Sequence, residues 1–210
     1  MRLHGYFRST ASWRVRIALN LKGVRAEHVF HHLRHGAQQA PEYIRLNPQA
    51  LVPTLETDDD QVITQSLAIC EWLDETVPEP PLLPGDALQR AQIRAVALAI
   101  ACDIHPVQNL KVLARLRSFS LPEGELTGWA TWIIRDGLLA CERLLERQQG
   151  PFCFGSTPTL ADICLVPQLY NARRFGSDLS GLKRVLTAEN ACLTLPAFAD
   201  ASPERQSDAE

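Results

Sequence analysis

The hydrophobic positions in the first part of the chain follow two different spacings. Residues 2–6 are typical of a short strand, whereas the large apolar side chains of residues 13–22 recur every four positions, as on one face of a helix. Gly23 follows directly and is typical of the residue that ends a helix. Residues 28–30 indicate a second strand. This β-α-β opening predicts a parallel strand pair joined by a right-handed crossover.

The next part of the pattern predicts the rest of a small α/β domain. Residues 36–46 indicate a weak helix or a loop, and residues 54–57 and 61–64 indicate two short strands around the acidic turn 58–60. Residues 66–75 then form a helical pattern that begins with a serine, a residue favoured at helix N-caps. The order β-α-β-loop-β-β-α resembles a thioredoxin-like domain.

A proline-rich segment separates this domain from a purely helical pattern. Residues 78–85 contain four prolines, which can continue neither a helix nor a central strand. The predicted helices beyond it cover about 88–117 with a bend near Pro106, about 125–147, a third that begins at Thr159, and about 181–191.

The chain is therefore expected to form two domains. Residues 1–80 form an α/β thioredoxin-like domain and residues 87–200 an all-α helical domain, and 210 residues suffice for both without a disulfide or a metal. Residues 201–210 are rich in Ala, Ser, Pro and acidic side chains, a composition that predicts a disordered tail.

Composition and charge argue against several classes of function. The chain is 46% hydrophobic and 21% charged, and its net charge of -3 argues against nucleic-acid binding. The longest apolar run, residues 95–102, is far shorter than the roughly 20 residues that span a membrane, so it predicts a buried helix and no membrane partner. No signal-peptide core is visible near the start, so we expect a cytoplasmic protein.

The six cysteines predict neither a disulfide framework nor a metal site. No CxxC pair and no Cys/His cluster with zinc-ligand spacing occurs. Cys70, Cys102, Cys141 and Cys164 lie in apolar surroundings. We therefore expect buried free thiols in a reducing compartment.

The turn at Ser9 is the first candidate for chemistry. It lies between a strand and a helix, so its hydroxyl lies beside the positive end of a helix dipole. Such a place favours an anion and would lower the pKa of a bound thiol. The spacing alone is equally satisfied if Ser9, Thr10 or Ser12 only caps the helix.

Two further turns could bind a small peptide. Val52-Pro53 precedes a strand, and a cis bond there would direct the backbone groups of Val52 outward to pair with an extended ligand. A trans turn satisfies the spacing as well. Gln65-Ser66 begins the next helix, where Ser66 either caps the helix or receives a carboxylate.

The helical half offers weaker candidates. A polar cluster surrounds Pro106 and comprises Asp103, His105, Asn109 and Lys111. Its histidine could equally be a satisfied core residue. Arg173 and Arg174 end the third helix, where cations complement the helix dipole. Thr159 and Asp162 have the spacing of a capping box, which we read as a folding element.

Four blocks in this order resemble the zeta class of glutathione transferases. Residues 9–19 resemble the signature SSCxWRVRIAL, and residues 47–55 resemble NPxxxVPxL. Residues 65–69 match QSLAI, and residues 159–168 resemble TxADxxLVPQ. The resemblance covers nearly the whole chain. It implies the glutathione transferase fold, a homodimer, and glutathione as cofactor.

The resemblance also implies roles for individual residues. The residues implied in glutathione binding are Ser9, Gln49, Val52, Pro53, Gln65, Ser66, His105 and Asn109. The residues implied in catalysis are Ser9, Thr10, Arg8 and Arg174, with Lys111 as a further cation. Ala11 departs from the family pattern, which often has Cys there, so the glutathione thiolate is expected to be the only nucleophile.

The implied reaction is a cis–trans isomerisation. The glutathione thiolate would add to the cis double bond of maleylacetoacetate or maleylpyruvate, in the breakdown of tyrosine or other aromatic compounds, and leave after rotation. Fixed positive charge would hold this small dicarboxylate substrate. Two alternatives remain: a general transferase that conjugates or dehalogenates small electrophiles, and a non-catalytic binding protein on the same fold.

Overall fold

The computed structural model describes residues 1–210 and divides them into two compact units. The first unit comprises residues 1–82 together with 193–210, and the second comprises residues 83–192. The division therefore falls inside the proline-rich segment 78–85.

The first unit contains a four-stranded mixed sheet with the strand order β2-β1-β3-β4. β1 and β2 are parallel, and β3 is antiparallel to both β1 and β4, which confirms the predicted thioredoxin-like order. The strands are β1 Arg2–Gly5, β2 Glu27–Phe30, β3 Thr54–Glu56 and β4 Val62–Thr64. The helices are α1 Thr10–Lys22, α2 Pro41–Leu46 and α3 Ser66–Thr76, with short 3-10 turns at Leu33–His35 and Ala37–Gln39.

Helix α1 is the central helix of this unit. Its N-cap Ser9 accepts a hydrogen bond from the N–H of Ser12, and Gly23 ends the helix with a φ of 64°, a conformation that glycine adopts without strain. Nearly all of α1 is buried, and it packs against α3. Ile17 on α1 and Ile69 on α3 are fully buried, so this packing forms the core of the unit.

A buried lysine ties both helices to the chain that leaves the unit. The Lys22 Nζ donates to Asp74 Oδ1 at 2.7 Å and to the carbonyls of Pro78 at 3.3 Å and Pro80 at 2.6 Å. The Asp74 Oδ1 also accepts from the N–H of Leu82 at 2.7 Å. The proline-rich segment is thus held by polar contacts to α1 and α3.

Residues 201–210, which composition predicts as a disordered tail, are packed against the first unit. Ala201 is 1% exposed, and residues Pro203–Arg205 form a 3-10 helix. The carbonyl of Ala201 accepts from the Arg16 Nε at 2.9 Å, and Asp208 accepts from the backbone N–H of Phe7 at 2.9 Å. The prediction of disorder was wrong because polar contacts to the Arg16 side chain and to the Phe7 backbone order a segment with little apolar surface.

The second unit is all helical, as predicted. Its helices are α4 Ala87–Leu98, α5 Leu110–Arg117, α6 Glu123–Leu145, α7 Leu160–Phe175 and α8 Lys183–Leu193, and α9 Pro196–Ala199 follows in the first unit. The predicted helix over 88–117 is interrupted by a π-helical turn, Ala99–Ile104, and a 3-10 turn, Pro106–Gln108. Pro106 causes the break, because it lacks an N–H and its ring conflicts with the preceding turn.

The capping box predicted at the start of α7 is confirmed. The Asp162 Oδ2 accepts from the N–H of Thr159 at 2.8 Å, and its Oδ1 accepts from the N–H of Cys153 at 2.8 Å. Asp162 is fully buried, and burial raises the pKa of its carboxyl above the usual value. These hydrogen bonds therefore offset the free-energy cost of burying the Asp162 carboxylate.

The cysteines are all free, but one lies outside the predicted environment. Cys70, Cys141 and Cys164 are buried as expected, whereas Cys102 is exposed. The expectation for Cys102 was wrong because the apolar run 95–102 has an exposed face, on which Leu98 also lies, 43% exposed. The helical stretch Ala87–Arg117 has the length and composition of a membrane span, which is weak evidence because core helices of soluble proteins share both properties.

Candidate functional site

The strand register brings three predicted turns to one end of the sheet in the first unit. His4 pairs with Thr54, and Thr54 pairs with Thr64, so these residues form one row across three strands. β1 runs toward this end, β3 begins there, and β4 ends there. The turn 6–9, the Val52-Pro53 bond and Gln65-Ser66 lie immediately beyond that row. The helices α1 and α3 also begin at this end, so two helix N-termini face the same region.

Ser9 lies where its hydroxyl can serve two purposes. Its Oγ accepts from the Ser12 N–H at 3.2 Å, which is the capping role that spacing suggests. That bond uses a lone pair and leaves the hydroxyl proton available to donate to an anion. Thr10 is the first residue of α1 and is only 5% exposed, and Ala11 is 8% exposed. Ser9 is therefore the more open of the two adjacent hydroxyls.

Arg8 precedes Ser9 and is half-buried. Its guanidinium carbon lies 5.4 Å from the centroid of the Phe7 ring, a cation–π distance. Because Phe7 is buried, the ring gives the arginine a fixed base at the surface of the unit. The structure thus places a cation and a hydroxyl next to each other at the end of the sheet.

A small apolar cluster connects the turn 6–9 to the loop that carries Val52. Tyr6, Phe7, Tyr43 and Val52 are packed together and buried. The Val52-Pro53 bond is cis, which the sequence left open. No hydrogen bond within the chain uses the N–H or the C=O of Val52. Its backbone is therefore available to pair with an extended ligand, as the sequence predicts for a cis bond.

Asn47 shapes this loop and was missed by sequence reasoning. It is 1% exposed, and its Nδ2 donates to the Leu51 carbonyl at 2.8 Å and to the Thr54 Oγ1 at 3.1 Å. Its Oδ1 accepts from the N–H of Gln49 at 3.0 Å. Sequence reasoning missed this role because an Asn before a proline is typical of an ordinary turn residue.

Gln65 and Ser66 occupy the start of α3 as predicted. Gln65 has a φ of 71°, an uncommon value for a residue with a Cβ, and its Nε2 donates to the Gln49 Oε1 at 2.8 Å. The Ser66 Oγ accepts from the buried Arg14 Nη1 at 3.3 Å. The structure therefore joins Gln49 to Gln65 and places a buried guanidinium beside the helix N-terminus. Such a start favours a carboxylate.

Arg16 supports the turn 6–9 from below and was also missed. Its guanidinium is buried and donates to the carbonyls of Phe7 at 2.9 Å and Tyr6 at 3.4 Å, besides that of Ala201. Burial lowers the pKa of Arg16 to about 10, and the negative charge of Asp208 opposes that shift. An arginine in the middle of an apolar helix was the available signal for this role.

Arg174 is held by an amide network within the second unit. Its Nη2 donates to the Asn171 Oδ1 at 2.7 Å and its Nε to the same atom at 3.1 Å. The Asn171 Nδ2 donates in turn to the buried Gln108 Oε1 at 2.9 Å. Arg174 also lies over the Phe175 ring, at 4.7 Å from its centroid. By contrast, Arg173 forms a bidentate ion pair with the buried Glu189, at 2.5 Å for both contacts.

The remaining candidates lie around the break between α4 and α5. His105 is half-buried and ends the π-helical turn, and Asn109 is the N-cap of α5 without a capping bond from its side chain. Asp103 and Lys111 are exposed. These residues share one short segment, as predicted, and their role toward glutathione stays a prediction.

Comparisons with known proteins cover the chain almost completely. The family model described as "Glutathione S-transferase, N-terminal domain" matches residues 8–76, and "Glutathione S-transferase, C-terminal domain" matches residues 60–188. Maleylacetoacetate isomerase of Dictyostelium discoideum is 43% identical over 99% of this chain and 95% of its own length.

Two solved structures are also similar to this chain over nearly their full length. The holo structure of maleyl pyruvate isomerase, a bacterial zeta-class glutathione transferase, is 44% identical with a TM-score of 0.97 and full coverage of both chains. Maleylacetoacetate isomerase from Anaeromyxobacter dehalogenans, with dicarboxyethyl glutathione and citrate in its active site, is 42% identical with a TM-score of 0.88, over 100% of this chain and 93% of that one. This chain therefore belongs to the zeta class of glutathione transferases, the family of maleylacetoacetate and maleylpyruvate isomerases.

Proposed function

We propose that this protein is a glutathione-dependent isomerase that converts maleylacetoacetate, or maleylpyruvate, to its fumaryl isomer. The observation that carries the proposal is the end of the sheet in the first unit. There the Ser9 hydroxyl, the unpaired backbone of Val52 and two helix N-termini lie beyond one row of paired residues. The dicarboxyethyl glutathione bound by the Anaeromyxobacter relative supports the same chemistry.

The residues of the first unit fit glutathione part by part. Val52 offers one N–H and one C=O to the peptide backbone of the cysteinyl residue, as an added strand would require. Gln65 and Ser66 offer the start of α3 to the γ-glutamyl carboxylate, with Gln49 fixed beside them by its hydrogen bond to Gln65. Ser9 offers its hydroxyl to the thiolate.

When bound, glutathione supplies a thiolate that adds reversibly to the cis double bond and so permits rotation about it. The Ser9 hydroxyl and the N-terminus of α1 stabilise the thiolate and so lower the pKa of the thiol. Thr10 contributes to the same helix start, although it is nearly buried. Ala11 offers no sulfur, so the protein contributes no nucleophile of its own at this turn.

Positive charge binds the carboxylates of the substrate. Arg8 lies next to Ser9, and its contact with the Phe7 ring limits its movement. Arg174 is the second candidate, since Asn171 orients its guanidinium. An arginine guanidinium suits a carboxylate because it can donate two parallel hydrogen bonds. His105, Asn109 and Lys111 are further candidates for contacts to glutathione or substrate.

The decisive experiment measures turnover directly. The purified protein is mixed with glutathione and each of the two enedioates, and the loss of the cis isomer is followed by ultraviolet absorbance. We expect Ser9→Ala to reduce turnover about 100-fold, as loss of a group that stabilises developing charge does. Asp86→Ala is the matched control, because it removes an equivalent N-cap at α4, whose side chain accepts from the Gln89 N–H, without touching this turn. Equal losses in both variants would contradict the role of Ser9.

Substrate charge separates the isomerase from a general transferase. Arg174→Ala is expected to lower turnover of the enedioate far more than conjugation of a neutral halide, because only the enedioate carries carboxylates. Equal losses would favour the general transferase, and failure to bind immobilised glutathione would refute both enzymatic functions. We also propose that the protein is a cytoplasmic homodimer, which size-exclusion chromatography and cell fractionation would test.

A further inference from the structure

The 200–210 segment contacts the backbone that carries the proposed thiolate-stabilising residue. The Asp208 Oδ2 accepts from the N–H of Phe7 at 2.9 Å, across a separation of 201 residues. Phe7 lies two positions before Ser9 and beneath the guanidinium of Arg8. The Glu210 carboxylate is in hydrogen-bond contact with the His32 Nε2, and the His32 ring packs edge-on against Tyr6 at 5.2 Å. The segment thus contacts the turn 6–9 directly at Phe7 and reaches Tyr6 only through His32.

The turn 6–9 depends on such contacts because it makes few of its own. Its internal hydrogen bond runs from the Ser9 N–H to the Tyr6 carbonyl at 3.0 Å. The other backbone groups of Tyr6 and Phe7 that bond outside the strands use Arg16 and Asp208. A cation therefore binds the carbonyls and an anion binds the N–H, and the two side chains attract each other. Both side chains therefore restrain the backbone that leads directly into Arg8 and Ser9.

We propose that Asp208 is a positioning residue of the isomerase: by binding the Phe7 N–H it fixes the turn that presents Arg8 and Ser9 to glutathione and substrate. This inference rests on the proposed function. Asp208 touches no reacting group and acts through the backbone. A hydrogen bond from a backbone N–H to a carboxylate is stronger than one to a neutral acceptor, so it restrains the turn more tightly.

The segment itself is held independently of Asp208. The Arg16 Nε binds the carbonyl of Ala201 and so attaches the segment to α1, and the Gln206 Nε2 stabilises the segment internally through the carbonyls of Asp200 at 3.0 Å and Ser202 at 2.8 Å. Ala201 is almost fully buried. Replacement of Asp208 should therefore release the turn without detaching the segment, which makes the substitution a clean test.

The test compares Asp208→Ala with Asp208→Asn and with Asp200→Asn. The asparagine variant keeps an acceptor for the Phe7 N–H, and the Asp200 carboxylate makes no hydrogen bond to the turn, so Asp200→Asn is the matched control. For Asp208→Ala we expect kcat for the enedioate to fall about tenfold, equivalent to about 1.4 kcal/mol. The glutathione Kd should rise less than about threefold, since Val52, Gln65 and Ser66 are untouched. Asp208→Asn should recover most of the activity.

Two measurements do not depend on turnover. Amide hydrogen exchange at Phe7 should accelerate about tenfold or more in Asp208→Ala, because its N–H loses its acceptor. The ultraviolet absorbance of bound thiolate should show a raised thiol pKa in Asp208→Ala, and neither property should change in Asp200→Asn. Unchanged Phe7 exchange and turnover in Asp208→Ala, or equal effects in Asp200→Asn, would overturn the inference. A wild-type protein that isomerises neither enedioate would refute the proposed function alone, since exchange and thiol ionisation would still test Asp208.

Discussion

Arg16→Lys is the most informative perturbation of the framework beneath the site. The arginine is 4% exposed and donates to the carbonyls of Ala201 and Phe7, each at 2.9 Å, with a longer contact of 3.4 Å to Tyr6. Lysine keeps the positive charge but has a single nitrogen on a flexible stem. It has no planar fork that reaches the Phe7 and Ala201 carbonyls together, so we expect one of them to lose its donor.

The expected loss follows from these contacts. The contact to Tyr6 is too long to contribute much. A hydrogen bond from a charged donor contributes about 1.5–3 kcal/mol, and a buried carbonyl left without a partner costs about 1–3 kcal/mol. Since Phe7 and Ala201 are 6% and 1% exposed, water cannot readily replace the lost donor. We therefore expect Arg16→Lys to lower the free energy of unfolding by about 2–3 kcal/mol.

Urea unfolding of Arg16→Lys and of the wild type measures this difference. The midpoint for Arg16→Lys should fall by about 1 M at an unchanged slope. Arg25→Lys is the matched control, because Arg25 is an exposed arginine of the same unit and its replacement should change stability by less than about 0.5 kcal/mol. A loss below that value in Arg16→Lys, or equal losses in the two variants, would refute the assignment of Arg16 as the support of the turn.

Three further predictions follow from other contacts. Lys22→Met should lower the free energy of unfolding by about 3 kcal/mol, because it leaves the Asp74 carboxylate nearly buried without its counter-charge, and urea unfolding measures this. Asn171→Ala should lower kcat/KM for the enedioate about fivefold with unchanged glutathione affinity, because Arg174 loses the acceptor that orients it. Burial and the charge of His4 lower the pKa of His31 below 6.5 in the folded protein. The unfolded state therefore binds more protons as the pH falls through 6.5, so the stability that His31 contributes above that pH is lost below it. His31→Gln should make the thermal unfolding midpoint depend less on pH in this range.

The local pattern of the chain predicted most of the fold because those elements are determined by neighbouring residues. The apolar spacing of residues 13–22 located α1, and the turn residues around 58–60 located β3 and β4. The segment 36–46 was ambiguous because it has little periodic apolar surface, and it forms one short 3-10 turn followed by α2. The π-helical turn at Ala99–Ile104 could not be predicted, because its apolar residues suit an α-helix equally well.

The candidate site was only partly predictable for a related reason. Spacing located Ser9, Val52-Pro53 and Gln65-Ser66, but each also had an ordinary structural explanation, and Ser9 does cap its helix. What distinguishes these residues is their common position at one end of the sheet, which depends on the register of three strands. Register is a long-range property, and no single segment of the chain specifies it.

Two aspartates show where that limit lies. Asp162 and Asp208 both accept hydrogen bonds from backbone N–H groups, and both hold a turn in place. Asp162 was predictable because one of its partners, Thr159, lies three residues away, and the spacing T-x-x-D reports that contact directly. Asp208 binds a residue 201 positions away, so nothing in its neighbourhood distinguishes it from a solvated acidic side chain. The composition of residues 201–210 therefore reports only that the segment has little apolar surface. Its order comes from contacts to the turn 6–9 and to Arg16, which no local pattern reveals.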